Sequence, residues 1–122
     1  MRIYLAGPMR GHKWYNFPMF MFHAARLRAY GYDVVNPAEL DLAQGIDPYT
    51  MPEDFNWESA PPGQFIDDIL ERDKKAELTC EGIAVFGDWL MSSGAYGEVL
   101  CARENGLGIS GVEYWIELAK EA

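Results

Sequence analysis

The chain is short of several things, and each shortage excludes a class of protein. Its two cysteines, Cys80 and Cys101, lack zinc-type spacing and are too few for a disulfide scaffold, so both are read as buried thiols. Histidine is equally scarce. His12 and His23 have no second histidine or cysteine at ligand spacing, so no metal site is expected; His12 is read as a surface loop residue and His23 as structural. No apolar run approaches the roughly 18 residues that a membrane-spanning helix needs. Met1-Arg2 leads straight into a strand pattern without a signal peptide, so a cytoplasmic location is expected. Basic residues number 10 against 19 acidic ones, a net charge of −9. Nucleic-acid polymers and anionic membranes do not tolerate such a surface without a basic patch. Repeats, low-complexity tracts, the G-x-G-x-x-G dinucleotide fingerprint and the Gly-Lys-Ser/Thr of a P-loop are all missing. What is left is an ordinary globular composition, 49% hydrophobic and 24% charged over 122 residues, enough for one core and one domain over residues 1–122.

Strand and helix patterns alternate along the chain. Arg2 to Ala6 reads as a strand ended by Gly7-Pro8. Asn16 is placed to cap a helix that has Pro18 in its first turn and runs through Phe20, Ala24 and Leu27 to Gly31. Asp33 to Val35 reads as a short strand, Gln64 to Leu78 as a helix and Gly82 to Phe86 as a strand. A helix over Gly94 to Asn105, a strand over Gly106 to Ser110 and an amphipathic helix over Val112 to Ala122 close the chain. This alternation predicts an α/β fold, a small flavodoxin- or Rossmann-like three-layer sandwich with a four- to five-stranded parallel sheet. Residues 41–64, rich in Pro, Gly, Asp and aromatics, read as an inserted loop or ordered flap. Ligands of such sheets bind beyond the carboxyl ends of the strands where strand order reverses, which singles out loops 7–16 and 87–94.

Chemistry-bearing residues fall at those places. Ser92-Ser93-Gly94-Ala95-Tyr96-Gly97-Glu98 follows the third strand pattern and opens a helix. A carboxylate in a first helical turn is held ionised by the macrodipole and the unpaired N–H groups, and small neighbours such as Gly94 admit a ligand to the backbone. The alternative is an ordinary acidic first turn. On the second long helix Ile66, Ile69, Asp73 and Ala76 form one stripe, so Asp73 stands where a core residue is expected. It is therefore paired, turned outward or part of a site. Glu98 and Asp73 together could flank a glycosidic bond as nucleophile and acid. In Gly7-Pro8-Met9-Arg10-Gly11, Arg10 is the one cation facing the expected crevice, suited to phosphate or carboxylate. Ser92 has no identifiable histidine partner, which argues against a serine hydrolase. Trp89 and Tyr4 are candidates either for stacking on a base or sugar or for the core.

Three short motifs, Ile3-Tyr4-Leu5-Ala6-Gly7-Pro8, Glu71-Arg72-Asp73 and Ser92-x-Gly94-x-x-x-Glu98, together resemble the nucleoside 2-deoxyribosyltransferase superfamily, especially its small, often phage-encoded members. The resemblance spans residues 3–106. It implies that Glu98 is the nucleophile at the anomeric carbon, Asp73 the carboxyl group that assists the leaving base, and Tyr4 the hydroxyl that orients the nucleophile. Ser92, six residues before Glu98, resembles the serine of the deoxynucleoside monophosphate N-hydrolases, where nucleoside transferases have aspartate. A hydroxyl beside a helix N-terminus suits a phosphate that an aspartate would repel. Gly7-x-Met9-Arg10-Gly11 is similar to the phosphate loop Gly-Ser-Ile-Arg-Gly of those hydrolases, with Pro8 in place of serine; that leaves Arg10, Gly11 and Ser92 as the phosphate contacts.

The expected activity is therefore cleavage of the base–sugar bond of a 2′-deoxynucleoside 5′-monophosphate through a covalent glycosyl-enzyme on Glu98, with no cofactor. The resemblance also implies a homodimer or higher homo-oligomer. The alternatives are base exchange by the same residues, a nucleotide-binding module without turnover, and a plain structural domain.

Overall fold

Ile3, Tyr4, Leu5 and Ala6 are all fully buried, and a strand enclosed on both faces belongs in the interior of a parallel sheet. These residues form β1 (Arg2–Ala6) of a computed structural model that describes residues 1–50 and 64–122, with 64–67 described by backbone alone. The sheet has four parallel strands, in the order β2 (Asp33–Val35), β1, β3 (Gly82–Val85), β4 (Gly108–Gly111). Among the described residues five α-helices cover it: α1 (Phe17–Ala29), α2 (Pro37–Ala43), α3 (Gln64–Glu77), α4 (Ser93–Glu104) and α5 (Val112–Glu121). The fold class is the expected one, a small Rossmann-like three-layer α/β fold. Among the described residues no helix is long and apolar enough to cross a membrane.

The period-2 alternation of the strands sorts the core into two halves. Ile3, Leu5 and Ala84 point to one face, where Phe20 and Leu27 of α1 and Trp115 and Ile116 of α5 pack on them. Tyr4, Ala6, Ile83 and Val85 point to the other, under Val99 and Ala102 of α4. Each large apolar side chain so buried contributes about 1.5–3 kcal/mol. The chain leaves β1 for α1 on the first face and leaves β3 for α4 on the second. Neighbouring strands thus send their following loops apart, and a crevice opens between them at the carboxyl edge.

Two segments depart from the sequence reading. The stretch 41–64 is not loop from its start: Asp41 to Ala43 complete α2, and Pro48–Thr50 is a turn of 3-10 helix, while residues 51–63 lie outside the described residues. Asn36 caps α2 by accepting from the Ala38 N–H at 3.0 Å, with Pro37 at the first helical position. Asn16, expected to cap α1, does not. It lies in the left-handed region, at φ 59°, and its side chain donates to the Pro8 carbonyl at 2.9 Å. Trp14 and Tyr15 are left-handed too, at 51° and 52°, a conformation costing roughly 1–2 kcal/mol per residue. Burial of Tyr15 and a 5.3 Å ring contact between Trp14 and Tyr49 help to offset it. This turn folds loop 7–16 back over the end of β1.

Candidate active site

Ser92 caps α4: its hydroxyl oxygen accepts from the Ala95 N–H at 3.3 Å, leaving its own hydrogen free to donate. Because the helix starts at Ser93, Glu98 stands in the second turn, and no acidic residue occupies the first. The expected ionisation by the helix terminus therefore fails, since that effect dies within one turn. The structure imposes the opposite. Burial pushes the Glu98 carboxyl well above the ordinary carboxylate range, and Asp73, Glu77 and Asp41 push it further against the opposing effect of Tyr4. Its Oε2 is sealed from solvent with no hydrogen-bond partner among the described residues, and so is the Tyr4 hydroxyl. The two groups interact, but the geometry falls short of a well-formed hydrogen bond. Tyr4 itself is raised, by burial first and then by Glu98 and Asp73.

Asp73 lies on the inner side of α3 and is paired with its own sequence neighbour. Arg72 donates to Asp73 Oδ1 through Nε at 3.0 Å and through a terminal nitrogen at 2.6 Å, and that same nitrogen reaches Asp41 Oδ1 at 2.6 Å. The other terminal nitrogen donates to Gln44 at 2.8 Å. Both arginine bonds to Asp73 go to Oδ1, so Arg72 leaves Oδ2 unengaged. Burial raises Asp73 to about 6, with Arg72 opposing and Asp41 adding to it. A group near 6 can hold a proton or release one around neutrality, as an acid–base catalyst must. Asp73 is thus paired and also lines a cavity, where the sequence had posed pairing and a place in a site as alternatives.

Two adjoining cavities, of about 510 and 290 Å³, share a wall made by Arg10, Leu70, Asp73, Ser93, Gly94 and Glu98. Gly7, Met9, Asp41 and Ser92 extend that wall into the smaller one, and Lys74, Glu77, Gly97 and Cys101 into the larger. Most of the candidates from the sequence thus meet: Glu98, Asp73, Gly7, Met9, Arg10, Ser92 and Gly94 all line this crevice. Tyr4 lies below it against Glu98. Gly7 has no room for a side chain, since a Cβ there would come within 2.4 Å of the Phe86 ring. Two candidates stand apart. Gly11, at φ +81° and exposed, lines neither cavity, and Trp89 packs half-buried against the Tyr4 half of the core. His12 is exposed in the loop, and the His23 ring lies 4.5 Å from that of Phe86.

Three groups were overlooked in the sequence. Asp41 was read as loop, although Asn36-Pro37 is a helix-start signal that would have placed it on α2. Glu77 follows Asp73 by four residues, hence on the same face of α3, and is fully buried. Cys101 follows Glu98 by three; it is half-exposed on the cavity wall, not buried as expected, and burial and Glu77 push its thiol up to about 11. Cys80 is buried, as read. Among the described residues no cluster of three or more His, Cys, Asp or Glu is arranged to hold a metal ion.

Comparison with known families gives one match. The profile of a family described as a domain of unknown function (DUF4406) matches residues 1–110, and the chain belongs to that family. No curated protein and no solved structure matches it.

Proposed function

We propose that this member of the DUF4406 family is an N-glycosidase that cleaves the base–sugar bond of a 2′-deoxynucleoside 5′-monophosphate. One observation carries the reading: two carboxyl groups from different helices, Glu98 and Asp73, line one crevice at the point where strand order reverses, with Arg10 and Ser92 beside them. The phosphate goes to the smaller cavity, where the Arg10 guanidinium and the Ser92 hydroxyl at the start of α4 suit it. The sugar then lies against the shared wall. Glu98 carboxylate attacks C1′, a C1′–O bond forms as the C1′–N bond breaks, and Asp73 gives its proton to the departing base. Water next attacks C1′ while Asp73 takes its proton, releasing deoxyribose 5-phosphate and restoring Glu98.

The chemistry needs the proton on Asp73 and not on Glu98. In the ligand-free site burial raises both groups, so Glu98 too is biased toward its protonated form. A hydrogen bond from Tyr4, tightened when substrate closes the site, favours the ionised nucleophile. A second base in place of water turns the same steps into base exchange, as the resemblance to deoxyribosyltransferases allows. Assembly into a homodimer or higher oligomer, in the cytoplasm, is part of this proposal.

Replacement Glu98→Ala is expected to lower base release from deoxynucleoside monophosphates at least about a thousand-fold, as loss of a nucleophile does, with the circular dichroism spectrum unchanged. Unchanged turnover would remove this mechanism. A second reading has its own support: burial that biases Glu98 toward its protonated form suits a nucleotide-binding module without turnover. Incubation with the four common deoxynucleotides separates the two, since a thermal shift without free base on chromatography favours binding.

A further inference from the structure

Glu77 is fully buried, and the chemistry above makes no use of it. Both its carboxyl oxygens are sealed from solvent without a hydrogen-bond partner among the described residues. Helix geometry explains its neighbours. Glu77 follows Asp73 by four residues on α3, and Cys101 follows Glu98 by three on α4, so each pair shares one helical face. The two helices pack together, and all four side chains line the cavity of about 510 Å³. Other charged or titratable groups surround this set. Lys74 comes from α3 itself, Glu104 from α4 and Tyr4 from β1, while Asp41 of α2 acts on Glu98. Of the cations, Arg10 of loop 7–16 and Lys74 line the same cavity but are exposed, and Arg72 is already engaged by Asp41 and Asp73.

Negative charges on these two carboxyls repel each other, because both Glu77 oxygens and Glu98 Oε2 are sealed from solvent and so are weakly screened. We infer that Glu77 is a positioning residue for the nucleophile: negative charge on Glu77 and negative charge on Glu98 exclude one another across the α3–α4 cavity, so the productive site is the one in which Glu77 keeps its proton. The inference rests on reading Glu98 as the nucleophile, but the exclusion itself is a property of the ligand-free protein. Burial raises Glu77 to about 7, Asp73 adds to the rise, and Cys101 and Lys74 oppose it. Glu77 in turn is one of the groups raising Glu98. Near neutrality the site thus holds fewer charges than it has carboxyl groups, and Glu77 decides which group goes without.

The test is carbon NMR of protein labelled at the glutamate side-chain carboxyls, titrated without ligand, alongside the pH profile of base release. One resonance is expected to titrate near pH 7 and to vanish in Glu77→Gln. The resonance that vanishes in Glu98→Gln should, in Glu77→Gln, fall in midpoint by roughly one pH unit or more. The acid limb of base release should move down with it, which loss of mere packing would not cause. An unmoved Glu98 midpoint in Glu77→Gln overturns the inference whether or not the protein is active. A shifted midpoint without base release in any form of the protein sinks the glycosidase reading and leaves the exclusion standing. If Glu77→Gln does not fold, Glu77→Met, which also cannot ionise, takes its place: the Glu98 midpoint must drop there, and one that stays unmoved overturns the inference.

Discussion

Glu98 is a residue whose chemistry and stability pull in opposite directions. A carboxyl group raised on folding favours the native state while it is protonated, and that stability is lost as pH rises from the unfolded value of 4.5 through the higher folded one. Glu98→Gln, which cannot ionise, should therefore raise Tm by a few degrees at pH 8 and leave it almost unchanged at pH 4. Equal effects at both pH values would mean that the carboxyl is not held neutral. Asp41 gives a second case. Its charge helps to hold Asp73 near 6, so Asp41→Asn should weaken the hold of Asp73 on its proton. The basic limb of base release would then move to lower pH. The same change takes one of two carboxylates from Arg72, a loss of about 1–3 kcal/mol readable in chemical denaturation. An unmoved basic limb would remove Asp73 as the acid.

At the level of elements, the site is made where helix termini and strand ends meet. The cap at Ser92 fixes where α4 begins, and that in turn fixes Glu98 one turn deeper than the sequence suggested. Loop 7–16 is pinned by the left-handed turn at Trp14 to Asn16 and by the closeness of Gly7 to Phe86. Phe86 has little room to retreat, with Phe20 at 4.9 Å and His23 at 4.5 Å between ring centroids. Gly7→Ala should cost about 1–3 kcal/mol in chemical denaturation, as overpacking does, and raise KM by moving Met9 and Arg10. A neutral outcome would mean that the loop yields freely. The α2–α3 clamp through Arg72 is the other device at this scale, joining an element missed in the sequence to one read correctly.

Over the whole molecule, several carboxyl groups are raised together while the net charge is −9. Asp73 gives up its stabilisation between 3.8 and about 6, Glu77 between 4.5 and about 7, and Glu98 upward from 4.5 through its raised folded value. Self-repulsion of the acidic surface grows over the same range. The expected result is a Tm highest on the acid side, near pH 5, falling steadily to pH 8; a Tm that is flat or rising over that interval would contradict the proton-holding site. The strands, four of the five helices and the two loops of the crevice were legible in the sequence because each is a local matter: apolar period, Gly and Pro punctuation, and the preference of parallel sheets for buried strands. Helix α2 was missed because it has only seven residues and its last three, Asp41 to Ala43, fall in the stretch 41–64 whose composition is loop-like, while Asn36-Pro37 was its start signal. Glu98, Asp73, Arg10 and Gly94 were picked out by type and spacing, and Gly7, Met9 and Ser92 by the family resemblance; the fold brought them to one crevice, while Gly11 and Trp89 were left outside it. What only the tertiary structure decided is burial and pairing: Arg72 joined to Asp41 and Asp73, Glu77 enclosed, the Glu98 carboxyl pushed above the ordinary carboxylate range. Those depend on burial and on distances between helices far apart in the chain, and no local pattern carries either.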